Sequence, residues 1–373
     1  KLVTGVQTCA LPILLERLPP RDQWPVMLFP AGAPAGTDAL NLVVQLLDNA
    51  MHSPWADAPL FRSVDGNMTY REALAAVNQR VNLLREHCGL QTGNRVLIRG
   101  HNSSAFALAW LAVVKAGLIA VSTMPLSRAK ELGDIIDKSQ PAIALCDARL
   151  LEELQLAQAS HPALRRVLSW GAPSETDALE SLLEEASVRT HSSHPDVALA
   201  ADMPDDPIAL LAFTSGTTGS PKAAVHTHRD LLAACEAWPR HVLQARPDDI
   251  VMGSPPLAFT FGLGGLLLFP LWAGASVYYP DGAYTPARMV ELMAQVGCML
   301  CYTAPTFYRQ MAPLIQQHPV PSLRISVSAG EALPDATRRL WRQASGLPLF
   351  LFVRAECSTG SGCSGFPEVS AFS

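Results

Sequence analysis

Residues 214–222 read T-S-G-T-T-G-S-P-K, directly after the apolar run P-I-A-L-L-A-F at 207–213. A short apolar run of this kind predicts a buried strand, which places whatever follows it rigidly. Gly216 and Gly219 let the backbone turn with positive φ and approach an anion closely. Thr214, Ser215, Thr217, Thr218 and Ser220 add hydroxyls and Lys222 an ammonium, so the segment has the make-up of a phosphate cradle. The bland alternative is a polar surface turn, which Ser, Thr, Gly and Pro favour by themselves. Three threonines, two serines, two glycines and a lysine in nine residues exceed what a turn needs.

The loop is not the helix-opening phosphate motif G-x-x-x-x-G-K-[ST]. Pro221 precedes Lys222, and Ala223 follows where a magnesium-binding hydroxyl belongs. Residues 223–228, A-A-V-H-T-H, read as a second short strand, so the predicted element is strand, loop, strand. His226 and His228 would share a strand face, but no third ligand is near in sequence, and hydrogen-bonding or packing roles are expected of them.

Around the loop, helical and strand patterns alternate. Helices are predicted over 70–87, 103–116, 128–138, 150–159, 175–186, 230–238 and 285–294. Strands are predicted over 95–99, 118–122, 141–146, 164–169, 248–252, 275–279 and 323–327. Such alternation predicts an α/β fold of parallel βαβ units. Residues 187–207, rich in His, Ser, Asp and Pro, read as an exposed connection before the loop. Two packed subdomains are expected, 14–206 and 207–350, the second carrying the phosphate loop.

Composition limits what such a fold does. In 373 residues, 49% apolar content supports large cores, while a net charge of −5 offers no electrostatic footprint for nucleic acid. Eight scattered cysteines suit a reducing compartment, and a cytoplasmic location is expected. Cys298 and Cys301 fall in a predicted buried strand, where residues three apart face opposite ways, so they read as core cysteines rather than a metal pair. Residues 257–279 and 104–124 are apolar enough to raise a membrane span, but glycines and a proline break both into buried helices and strands.

Both ends depart from the rest. Residues 3–13, V-T-G-V-Q-T-C-A-L-P-I, match the translation of a common sequencing-library adapter, so 1–13 are expected to be an artefact. Residues 351–373 read as an aberrant tail from a frameshift or junction near Phe350.

At 214–222 the sequence resembles the adenylate-forming superfamily of acyl- and aryl-CoA ligases, luciferases and peptide-synthetase adenylation domains. The resemblance spans about 17–350 and implies the large N-terminal domain of that fold, with two packed α/β subdomains, mostly parallel sheets, and the small C-terminal domain missing. It also implies ATP, Mg2+ and CoA: a carboxylate attacks the α-phosphorus to give an acyl-adenylate, and CoA thiol displaces AMP. Carried over by position, Thr214, Ser215, Gly216, Thr217, Thr218, Gly219, Ser220 and Lys222 hold phosphate, with Thr214 and Lys222 catalytic. The segment S-A-G-E-A-L-P at 328–334 resembles the adenine side, with Gly330, Glu331 and Ala332 against the purine and 302–306 as the other wall. No metal ligand is assigned, because the acidic motif of relatives has no match after Phe350 and Glu356 is no safe substitute.

The segment P-P-L-A-F-T-F-G-L-G at 255–264 corresponds to the aromatic motif beside the carboxylate pocket. Phe259, Phe261, Tyr302 and Trp238 are therefore the expected substrate contacts, and they suit a flat ring. Residues 17–25, 40–47 and 257–262 look like 2-aminobenzoate- and benzoate-CoA ligases. The expected partners are an aryl acid, ATP and CoA. A fatty-acid CoA ligase is the runner-up, and a non-catalytic nucleotide-binding fragment is the alternative from another class.

Overall fold

The computed structural model describes residues 40–172, 177–184, 207–214 and 221–352. Its strands are β1 Pro59–Ser63, β2 Gly66–Thr69, β3 Arg95–Arg99, β4 Ile119–Thr123, β5 Ile143–Asp147, β6 Arg166–Trp170, β7 Ile208–Thr214, β8 Lys222–Thr227, β9 Ile250–Gly253, β10 Ser276–Tyr278, β11 Leu300–Thr303, β12 Ile325–Ser328 and β13 Leu349–Leu351. They form two sheets, β6-β5-β3-β4-β7-β8 and β13-β12-β11-β9-β10-β1-β2. Pairing is parallel throughout except for β7 with β8 and β1 with β2, an antiparallel pair at one edge of each sheet.

Period-two alternation explains the layers of the first sheet. Val96 and Ile98 of β3 pack into one cluster with Trp110, Leu111 and Val114 of the helix Ser104–Lys115. Leu97, between them, joins Leu132, Ile136 and Leu154 on the opposite face. With helices on both faces, β3, β4 and β5 are buried at every position, which is why Val96–Ile98, Ile119–Val121 and Ile143–Cys146 read as apolar runs, with polar residues only at the strand ends.

Local chemistry sets the helix starts. Thr69 and Glu72 form a reciprocal capping box for the helix Tyr70–Asn82, and Thr227 and Asp230 do the same for His228–Trp238. Two buried cations, Lys115 and Arg99, and the partly buried Arg324 brace the packing. Lys115 Nζ donates to Asp48 at 2.6 Å, and Arg324 pairs with Asp249 while donating to Leu243 O at 3.0 Å. Arg99, at the carboxyl end of β3, donates to the carbonyls of Met124, Pro125, Ser127 and Leu150.

The expected cut between 206 and 207 does not follow the sheets. β7 pairs with β4 and carries β8 into the first sheet, while β1 pairs with β10 and carries β2 into the second. Strand pairing between distant segments decides sheet membership, and the linear order of a chain does not encode it. The β1–β2 pair and the helices Pro305–Gln317 and Asp335–Ser345 were absent from the sequence reading. His228 is the first helical residue rather than the last of a strand, because Thr227 caps there. Cys298 precedes β11 instead of lying in it, and both cysteines are buried in one core cluster. Residues 260–273 are three short helical segments before β10, and no described helix is long and apolar enough to cross a membrane.

Candidate active site

The predicted strand, loop, strand element is a β-hairpin. In its register Thr214 lies opposite Lys222, so both loop ends leave the sheet at one point, beyond the carboxyl end of β7. Lys222 is exposed there, and Lys138 Nζ donates to the neighbouring Pro221 carbonyl at 2.6 Å. Ser215, Gly216, Thr217, Thr218, Gly219 and Ser220 lie outside the described residues, as does the side chain of Thr214.

Just past β3, Asn102 bridges the sheets. Its Nδ2 donates to Pro255 O at 2.8 Å, and its Oδ1 accepts from Leu257 N at 2.7 Å. Those residues follow β9 of the second sheet, so the carboxyl ends of the two sheets meet across this side chain. Carboxyl ends are where open α/β sheets bind ligands. Sequence reading passed over Asn102. The available signal was an amide directly after a strand and before Ser103, which caps the next helix.

The aromatic segment is held in a tight fold. Phe259 N donates to Pro256 O at 3.0 Å and Leu263 N to Phe259 O at 2.7 Å. Gly262 packs so closely under the prolines that a Cβ there would sit 2.1 Å from Pro256 O. Gly265 is needed in the same way, since a Cβ would meet the Tyr302 ring at 2.5 Å.

Three of the four expected substrate residues converge. Trp238 and Tyr302 are buried, and Phe261 lies with its ring centroid 5.8 Å from that of Tyr302. Phe259 points outward with 39% of its surface exposed. Trp238 Nε1 and Tyr302 Oη are both buried without a formed hydrogen bond. Burial pushes the Tyr302 phenol well up, and hydrogen bonding from the neighbouring Trp238 side chain acts in the opposite direction.

The residues expected on the adenine side also come together. Glu331 accepts from Thr306 Oγ1 at 3.1 Å, joining the segment after β12 to the one after β11. Gly330 has φ +87°, and nothing would obstruct a ligand against its backbone within 4 Å of the Cβ position. Glu331 and Ala332 are exposed beside it. Among the described residues no cluster of three His, Cys, Asp or Glu could hold a metal ion.

Residues 48–360 match the AMP-binding enzyme family. The chain belongs to that family. Among AMP-binding relatives, the benzoate-CoA ligase of Thauera aromatica is 30% identical over 286 residues, 76% of this chain and 53% of that ligase. The anthranilate-CoA ligase of Pseudomonas aeruginosa is 30% identical over 262 residues, 70% of this chain and 48% of that one. The crystal structure of the anthranilate-CoA ligase AuaEII with anthranoyl-AMP superposes with a TM-score of 0.75 at 26% identity, covering 84% of this chain and 60% of that chain. This agrees with two mostly parallel α/β sheets of the adenylate-forming N-terminal domain. The chain spans about half the length of the curated relatives it matches.

Proposed function

We propose that this chain carries the ATP- and acid-binding part of an aryl-acid:CoA ligase. The observation that carries the reading is the convergence of Trp238, Phe261 and Tyr302 behind the turn that Asn102 ties to the first sheet. In the proposed reaction a carboxylate oxygen bonds to the α-phosphorus of ATP, pyrophosphate leaves, and the thiol of CoA then takes the acyl group from AMP.

The hairpin ends Thr214 and Lys222 present the phosphate loop, where hydroxyls and an ammonium would offset the charge developing on the phosphates. Gly330, Glu331 and Ala332 would line the purine. Magnesium enters through the family, with no ligand assigned in this chain.

Trp238 Nε1 and Tyr302 Oη, buried as neighbours with no formed hydrogen bond, favour a ring bearing an amino or hydroxyl group over an alkyl chain. Relatives named for benzoate and anthranilate support the same class. Pyrophosphate release by the full-length enzyme with benzoate, 2-aminobenzoate and octanoate tests it. The aryl acids are expected to be preferred, and a preference for octanoate overturns the reading. Lys222→Ala is expected to slow adenylate formation at least about tenfold. An unchanged rate removes Lys222 from the mechanism.

A further inference from the structure

The aromatic space described above already contains a ring. Phe352 follows β13, and its N–H donates to Ser328 O at 2.8 Å, so the sheet fixes its backbone. Its side chain lies edge-on to Trp238 with centroids 4.8 Å apart and an interplanar angle of 87°. It stacks on Phe261 at 5.8 Å and 27°, and tilts against Phe269 at 6.3 Å. Phe261 in turn touches Tyr302.

Edge-to-face and offset-stacked contacts at these separations are the arrangement an aromatic ligand adopts against aromatic walls. Phe352 therefore satisfies the apolar demands of the space. It has no polar atom on its ring to offer Trp238 Nε1, which like Tyr302 Oη is buried without a formed hydrogen bond. A benzoate ring carrying an amino or hydroxyl group would match both the shape and the two polar atoms.

We propose that Phe352, within the stretch 351–373 expected from sequence to be an aberrant tail, is an internal occupant of the aryl site, competing with the acid for the space between Trp238 and Phe261 and so setting which acids this chain, as distinct from a parent enzyme, admits. The proposal rests on the aryl-acid reading. Phe352 is only partly buried and lies one residue past β13, so a change of its side-chain rotamer on displacement by an incoming ring requires no unpairing of β13.

Titration calorimetry of the chain with 2-aminobenzoate tests it, using Phe352→Ala, Phe352→Leu and Phe352→Trp, with thermal melts to confirm folding. Removing the ring is expected to tighten binding at least about tenfold in Phe352→Ala, the change equivalent to about 1.4 kcal/mol. Phe352→Leu is expected to fall between, and it carries the test if the alanine variant does not fold. Phe352→Trp is expected to weaken binding. Equal affinity in all folded variants overturns the internal occupant and leaves the aryl reading standing. No binding to any of them overturns both.

Discussion

His228 gives this fold a built-in acid sensitivity that the structure allows to be sized. The side chain is 2% exposed, and its Nδ1 accepts a hydrogen bond from Leu42 N at 3.0 Å, joining the first described residues to the helix after β8. Accepting at Nδ1 requires that nitrogen to be unprotonated, and burial brings the imidazole pKa down to about 4 from an ordinary 6.5. A histidine whose folded pKa lies below its unfolded one takes up a proton on unfolding. Its contribution is therefore complete above about pH 6.5 and is lost as pH falls towards 4. With those two values, the loss between about pH 7.5 and about pH 5 comes to about 2 kcal/mol, the unfolded chain being protonated and the folded one not. Urea unfolding of the chain and of His228→Gln at the two pH values measures this term, because every other titrating group is common to both. The unaltered chain is expected to lose about 2 kcal/mol more than the variant over that interval. The same loss in both would refute the assignment of the neutral, hydrogen-bonded ring.

Three other substitutions probe the frame of the site. Asn102→Ala removes both bonds to the Pro255–Leu257 backbone and is expected to cost about 1–3 kcal/mol in unfolding, while raising the KM for acid in the full-length enzyme more than that for ATP. Equal effects on both substrates would argue against a role specific to the acid side. Gly262→Ala drives a methyl against the Pro256 carbonyl and is expected to cost about 1–3 kcal/mol, read from a denaturant midpoint. Asp48→Ala strands the Lys115 ammonium, which is fully buried, and is expected to cost about 3–5 kcal/mol. A melting temperature unchanged from that of the parent would contradict the pairing.

Much of the first sheet was legible because β3, β4 and β5 are buried on both faces, and the helices between them carry long apolar periodicity. The β1–β2 pair escaped because only Leu60 and Phe61 are buried in it, too short an apolar stretch to stand out, with exposed Gly66 and Asn67 in the second strand. The helix Asp335–Ser345 escaped for a related reason: it is polar on most of its surface and buries only Thr337 and Trp341. At the candidate site, Thr214, Lys222, Gly330 and Glu331 are expected from local pattern alone, since turn chemistry is written in neighbouring residues. Asn102 and Phe352 were not, because each matters through a partner more than a hundred residues away or across a sheet.

The loop at 214–222 and the apolar strand before it were determined by sequence alone, because φ freedom, donor groups and alternation are properties of adjacent residues. Which sheet receives that strand, which segment wraps from 59–69 to the far sheet, and which ring fills the space beside Trp238 were decided only in three dimensions. Those outcomes depend on backbone pairing and packing between distant parts of the chain, where the energy is shared among many contacts and carried by no single motif.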